Sequence, residues 1–520
     1  MGSFGPAPRA MSETPAFRLT NTLSRSLETI EPEEQTPDGR PLLRFYSCGP
    51  TVYSYAHIGN FRTFLTADLV VRTARALGWA TRYVSNVTDV GHLTEDDVAD
   101  GGGEDKMARA LASKEGEAFA NVWDLARHYT RALVEDWHAL GLIEPDVRPR
   151  ATEHIREQVV AVQGLIERGH AYETDDGVYF HVPSFPDYGK LSGNTDAEAL
   201  AGTREVVRDD GKRDPRDFAL WKKDPDHLMQ WHAPFAEGGG WGFPGWHLEC
   251  SVMAQKYLGT TIDLHAGGED LRFPHHECEI AQAEALTGEP FSRYWIHTRF
   301  LQVEGAKMSK SAGNFLTVRD LTADDGRDDW GAPVDPLALR LALMKGHYGK
   351  PLDFTKQALR DARKNRQRYA DALDAVREAA DAGRAGDDVF DGALDGAYAD
   401  ALGAMAEDLN TPAALAAALG GANEILGRYR ASPLSAASAE TARGFLDRID
   451  ALLGIVGTEG AAGAAPDDAL ADQVEALLAD RQAARADKDW ARADAIRDEI
   501  DALGVVVMDT PSGPTWRRAD

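Results

Sequence analysis

Residues 245–279, GWHLECSVMAQKYLGTTIDLHAGGEDLRFPHHECE, hold two of the chain's three cysteines and four of its fifteen histidines. Within them TIDLHAGGED reads as a buried strand ending in a glycine turn, and ligands of open parallel sheets gather at such strand ends. Gly267 and Gly268 permit close backbone approach there, and Glu269 or Asp270 could take a ribose hydroxyl. Pro274 suits a first helical position, and the composition after it is helix-forming, which puts His275 and Glu279 on one face at i and i+4. Cys250 stands 25 residues before His275, beyond zinc-finger spacing, so any metal site here must be closed by the fold. With Cys48, in YSCGPTVY, these residues give two thiolates, an imidazole and a carboxylate, a set suited to Zn2+. On spacing alone, two small core cysteines and a satisfied histidine are an equal reading. Cys278, at i+3 from His275, could face the same site.

Upstream, Pro41 to Cys48 reads as a strand, the loop GPTVYSYAHIGN follows, and FRTFLTADLVVRTARALG has apolar residues at helical spacing. Trp79 to Asp89 is a second strand, so the chain opens as a β-α-β unit of a parallel sheet. His57 and Asn60 stand at the start of the intervening helix, where backbone N–H groups favour anions, and both could donate to a phosphate. Thr94 to Gly103 is an acidic, glycine-rich loop; long helical patterns run over Asp105 to Leu140 and Thr152 to Gly169. GVYFHVP is a strand, and the Gly-, Pro-, Asp- and Lys-rich stretch up to Gly245 is an insertion that returns to the sheet at TIDLHAGG.

Downstream, RYWIHTRFLQVEG reads as one strand that runs into AKMSKSAGN, where Lys307 and Lys310 flank Ser309 as a candidate polyphosphate clamp. From Asp335 to about Gly454 helical spacing predicts a bundle, and GTEGAAGAAPDD is a linker by composition. The last unit has two short helices followed by the strands VVVMD and TWRR. Its Arg485, Trp490, Arg492, Arg497, Trp516, Arg517 and Arg518 suit single-stranded RNA, although solvated helix faces have a similar composition.

A length of 520 residues predicts three or four domains. Three cysteines without even spacing point to a reducing, cytoplasmic compartment, and the absence of an eighteen-residue apolar run excludes a membrane-spanning helix. The first fifteen residues read as a disordered leader, with Met11 as an alternative start. With 56 basic and 84 acidic residues, the net charge of −28 gives no support to a polyanion partner. An acidic excess also fits a proteome adapted to high salt.

Taken together, HIGN at 57–60 and KMSKS at 307–311 resemble the two signatures of class I aminoacyl-tRNA synthetases. YSCGPTVY, GWHLEC, FPHHECE, GHY and DWARADAIRDEI with TWRR narrow the resemblance to the cysteinyl-tRNA synthetases, over everything after about the first fifteen residues. The resemblance implies an α/β Rossmann-like parallel-sheet catalytic domain in two halves, 16–140 and 246–305, separated by an insertion over 141–245. A KMSKS and stem-contact region (306–350), an α-helical bundle (351–456), a linker (457–467) and a small α+β anticodon-binding domain (468–520) follow.

It implies ATP-dependent ligation of L-cysteine to cysteine tRNA through a cysteinyl-adenylate, by a monomer. Zn2+ on Cys48, Cys250, His275 and Glu279 would bind the substrate thiolate, and Thr88 and Trp246 would line the amino-acid pocket. His57 and Asn60 would meet the phosphates, Lys307 and Lys310 the pyrophosphate, and Gly267, Gly268 and Asp270 adenosine, with Mg2+ accompanying ATP. Arg485, Trp490, Asp494 and Asp509 match anticodon-contacting positions. Three features depart from the family pattern: Asn60 for the last histidine of HIGH, TDVGHL for TDIDDK, and Cys278. The alternatives are a ligase joining cysteine to a sugar amine and, from another class, a zinc-stabilised RNA-binding protein.

Overall fold

Ile262–Gly268 is buried along its whole length and lies between Pro41–Ser47 and Ser292–Thr298, parallel to both. Ala80–Ser85 runs parallel to Pro41–Ser47 on its other edge, and Glu34–Gln35 adds a short antiparallel pairing. The last three residues of each parallel strand are buried, as in a sheet covered on both faces. Helix Ile58–Ala76 makes the first crossover and buries Phe61, Phe64, Leu65, Leu69 and Val70. All four parallel strands end at one edge, so Cys48, Asn86 to Thr88, Glu269 to Asp270, and Arg299 to Phe300 emerge together.

The computed structural model describes residues 14–90, 105–194, 211–235, 240–309 and 312–457, then 474, 477–478, 480–481, 484, 489–503, 505–510 and 513–518. The leader up to residue 13, the loop from Thr94 to Gly103, Lys310, the linker from residue 458 and Arg485 lie outside the described residues.

Two expected elements divide. Asp105 to Leu140 is not one helix: Lys106–Leu111 ends before Gly116, and Val122–Ala139 starts afresh where the Asn121 side chain accepts the Asp124 N–H. The strand expected over RYWIHTRFLQVEG breaks at Arg299 and Phe300 into Ser292–Thr298 and Leu301–Val303. The second piece belongs to a separate three-stranded sheet with Ala306–Lys307 and Leu352–Phe354.

The insertion forms its own antiparallel sheet from Ala171–Glu173, Gly177–Phe180, Phe218–Lys222, Gly240–Pro244 and Trp231–Ala233. Its core holds Phe180, Phe218 and Trp221, and also Leu248 and Cys278 from the two helices that return to the parallel sheet. Beyond residue 335, helices Pro336–Leu343, Lys356–Ala382, Ala393–Ala406, Thr411–Ala431 and Ala436–Leu453 build the expected bundle.

The bundle is tied to the parallel sheet through a buried charge cluster. Asp68 accepts from Arg72 Nε at 2.9 Å and from Arg340 Nη2, and both its oxygens are engaged because Ile143 N–H donates at 2.7 Å. The two guanidiniums then donate to carbonyls of Gly141, Asp450, Ala451 and Leu453, which end the neighbouring helices. A second compact unit comprises residues 462–520. It contains helix Trp490–Ala502, the antiparallel hairpin Val505–Thr510 with Gly513–Arg518, and a small core of Val474, Leu478, Ile496 and Ile500.

Candidate metal and nucleotide site

Cys48 follows the first parallel strand, Cys250 lies in helix Trp246–Leu258, and His275 and Glu279 lie in helix His275–Thr287. All four are buried, and one ligand atom from each falls within 4.8 Å of every other. Cys48 Sγ is 3.8 Å from Cys250 Sγ and 3.6 Å from Glu279 Oε1; His275 Nε2 is 3.0 Å from Glu279 Oε1. Arms of ~2.3 Å to sulfur and ~2.1 Å to nitrogen or oxygen give a tetrahedron edges of about 3.8, 3.6 and 3.4 Å for these three pairs. The donor set suits a zinc ion, and the two edges from Cys48 match its size, while the His275–Glu279 edge is shorter than the tetrahedron asks.

The surrounding hydrogen bonds orient the ligands. His247 Nδ1 lies 2.9 Å from His275 Nδ1, which leaves His275 Nε2 for the cage, and His265 Nε2 lies 2.8 Å from Glu279 Oε2. His276 meets Cys48 Sγ at 3.3 Å and His297 at 2.8 Å, and His297 ends on Thr22 at 2.9 Å. Cys48, His265, His276 and Glu279 form a second group with ligand atoms equally close, sharing Cys48 and Glu279 with the first. His265, His276 and His297 sat unassigned in the sequence; the only signal for them was the density of histidines around the glycine turn.

Burial and neighbours split the titrations. Burial and the adjacent Cys250 push the Cys48 thiol well up. For Cys250 burial acts upward, but hydrogen bonds from Cys48 and His275 outweigh it and bring the thiol down to about 6. Burial acts downward on His275, yet Glu279 and Cys250 raise it to about 10.

Cys278 is not part of the cage. Its sulfur meets Tyr188 Oη at 3.4 Å in the core of the insertion. On a helix at about 100° per residue, positions i+3 and i+4 diverge to opposite sides of the i direction, so Glu279 turns to the cage and Cys278 away from it.

Trp246 stacks on the His275 ring with centroids 4.3 Å apart. Thr88 Oγ1 donates to Glu249 Oε2 at 2.9 Å, while Glu249 Oε1 is buried without a partner among the described residues. Glu249 is a further residue the sequence reading missed.

His57 caps helix Ile58–Ala76. Its Nδ1 accepts the Asn60 N–H at 3.0 Å and Asn60 Oδ1 accepts the His57 N–H at 3.1 Å. An accepting Nδ1 puts the proton of the neutral ring on Nε2, and burial lowers the imidazole to about 4. Asn60 thus has a role in the cap, which its side-chain oxygen closes. Lys307 is exposed on the strand Ala306–Lys307, and the loop beyond it returns to His57, where Ile58 N–H donates to Leu316 O at 2.9 Å. A Cβ on Gly59 would stand 2.9 Å from Met308 Cε, so the two signature segments pack together.

At the glycine turn, a Cβ on Gly267 would come within 2.6 Å of His276 Cε1, and one on Gly268 within 2.3 Å of Asp270 Oδ1. Close approach at Gly267 is therefore by a side chain of the protein itself. Asp270 is exposed. In the second unit Trp490 is 60% exposed, Asp494 faces solvent, and Asp509 pairs with Pro514 in the hairpin.

Residues 36–364 match the family described as tRNA synthetases class I (C) catalytic domain, and residues 467–517 the Cysteinyl-tRNA ligase anticodon binding domain. The chain is 57% identical to Cysteine–tRNA ligase of Salinibacter ruber, covering 98% of this chain and 99% of that one. It is 41% identical to that of Chlorobaculum tepidum, covering 97% and 99%. Among solved structures, Mycobacterium tuberculosis methionyl-tRNA synthetase in complex with methionyl-adenylate matches with TM-score 0.55 at 15% identity, over 82% of this chain and 95% of that one, a likeness of fold. Sequence along nearly the whole chain, the catalytic-domain match and the fold agree: the chain belongs to the cysteine–tRNA ligases, within the class I aminoacyl-tRNA synthetases.

Proposed function

We propose that the chain joins L-cysteine to the 3′ end of cysteine tRNA in two steps in the cytoplasm, as a monomer, with a cysteinyl-adenylate formed from ATP in between. The observation that carries this reading is the buried Cys48, Cys250, His275 and Glu279 cage at the edge where the parallel strands end.

Those four residues would hold Zn2+, which when bound lowers the pKa of a coordinated thiol and so favours cysteine over serine. His247 orients His275 and His265 orients Glu279, while Trp246 and Thr88 line the amino-acid pocket. A site built on one specific polar contact rejects the analogue lacking it by ~10⁴ or more, which removes the need for editing.

In the first step the cysteine carboxylate attacks the α-phosphate of ATP and pyrophosphate leaves. Positioning and charge stabilisation dominate such transfers. Neutral His57 donates through Nε2–H to phosphate oxygens, with Asn60 beside it, and Lys307 and Lys310 hold the departing pyrophosphate. Gly267, Gly268 and Asp270 border adenosine, and Mg2+ accompanies ATP. In the second step the terminal ribose hydroxyl of tRNA attacks the aminoacyl carbonyl and AMP leaves. Arg485, Trp490, Asp494 and Asp509 contact the anticodon.

The test is charging. The full chain with ATP and cysteine is expected to load cysteine onto cysteine tRNA and not onto a sugar amine; loading of the sugar alone would overturn the reading.

A further inference from the structure

Arg62 lies in helix Ile58–Ala76, one turn beyond His57, and is 2% exposed. Its guanidinium donates to four main-chain carbonyls. Nη1 reaches Arg299 O and, at 2.9 Å, Phe300 O; Nη2 reaches His347 O at 3.1 Å and Lys350 O at 2.6 Å. Four Nη hydrogens meet four acceptors, and no carboxylate is among them. The other buried arginine of this helix, Arg72, is paired with Asp68, whereas the hydrogen bonds of Arg62 go to backbone alone.

The acceptors belong to two turns. Arg299 and Phe300 join Ser292–Thr298 of the parallel sheet to Leu301–Val303, whose antiparallel partner Ala306–Lys307 carries Lys307. His347 to Lys350 leads into Leu352–Phe354, the other neighbour of Leu301–Val303. The turns also bond to each other, Arg299 N–H to Tyr348 O at 2.9 Å and Leu352 N–H to Phe300 O at 3.0 Å. Glu269, directly after the glycine pair, holds the same turn by accepting the Phe300 N–H at 2.6 Å and pairing with Arg299 Nε at 2.8 Å. The root of the Lys307 hairpin is thus gripped from the helix that begins at His57.

We infer that Arg62 is a positioning residue for adenylate formation: it sets the root of the Lys307 hairpin against the His57 helix, so that both residues reach the phosphates of one ATP. Arg62 touches no substrate in this account. The inference rests on the ATP-activating reading above. A lysine, with three donors on one nitrogen, cannot span both turns as the guanidinium fork does.

The experiment is cysteine-dependent ATP–pyrophosphate exchange by the full chain, wild type against Arg62→Gln and Arg62→Lys, with zinc content and thermal unfolding measured on each. Misplacement by about 1 Å of groups acting on a transition state costs ~10²-fold, so Arg62→Gln is expected to lose on that order in kcat/KM for ATP. Its KM for cysteine stays within about twofold and its zinc content is unchanged. Arg62→Lys, keeping the charge and one turn, recovers part of the loss. If Arg62→Gln fails to fold, Arg62→Lys decides by the same split between the two substrates. Unchanged ATP parameters, or equal damage to ATP and cysteine, would overturn the inference. A wild type without cysteine-dependent exchange would instead overturn the reading beneath it.

Discussion

The Sγ atoms of Cys48 and Cys250 lie 3.8 Å apart although 202 positions separate them in the chain. Only the parallel sheet brings them together, because Cys48 leaves one strand end and the helix bearing Cys250 packs beside the next. Cys250→Ser is expected to abolish zinc content and amino-acid activation together. Cys278→Ser, whose sulfur faces Tyr188, leaves both in place, as elemental analysis and exchange assays of the purified variants would show. Loss of zinc in the second variant would contradict the ligand assignment.

His265 stacks on Trp295 at 4.4 Å and reaches Glu279 Oε2 with Nε2. His265→Phe keeps the stack and removes the bond. Removing such outer-shell partners costs ~10–100-fold in metal affinity, and competition with a chelator should read that loss without loss of the fold. Unaltered affinity would mean that Glu279 needs no such support.

The cage and the sheet were legible to different degrees, for physical reasons. His275 and Glu279 share a helix face by simple periodicity, and Ile262–Gly268 announces itself by Ile262, Leu264 and Ala266 in alternation, closed by glycines. The side on which Cys278 falls depends on which face of the helix meets which core, and that is a tertiary matter. The five strands of the insertion are three to five residues long, too short for a period to mark them, and Gly177–Phe180, the one read from the sequence, finds its second partner only at Phe218–Lys222. Arg62 and Asp68 interrupt the apolar face of their helix, and Lys350 and Arg340, which they meet, lie hundreds of positions away.

Burial lowers His57 to about 4 from an ordinary value of 6.5. The unfolded chain therefore takes up this proton first as pH falls. The stability due to a neutral His57 is complete above pH 6.5 and drains away as pH falls toward 4. Titration of the His57 imidazole by NMR, assigned with a His57→Asn chain, should show a neutral ring at pH 5.5; a midpoint near 6.5 would contradict the buried, Nδ1-accepting geometry.

Asp68 is the sole carboxylate bonded to both Arg72 and Arg340 among the described residues. Asp68→Asn removes the carboxylate that the two buried guanidiniums share, and breaking such a cluster costs ~3–5 kcal/mol. Denaturant unfolding would show a loss of that size in unfolding free energy, read as a lower midpoint at unchanged slope. A change under about 1 kcal/mol would mean that the helix-end carbonyls alone suffice for the two arginines.

Removing the residues after Gly457 deletes the segment that matches the anticodon-binding family and leaves the cage and both signature segments untouched. The tRNA KM should rise while cysteine-dependent exchange is spared. Equal damage to the two steps would contradict a separable module.

The central claim is that Cys48, Cys250, His275 and Glu279 hold a zinc ion whose bound state selects the substrate thiol. Zinc-edge X-ray absorption on the loaded protein, with and without cysteine, tests it most directly. The account predicts two sulfur neighbours at about 2.3 Å in the free protein, three with cysteine, and two with serine. A sulfur count that stays at two when cysteine is added would contradict it.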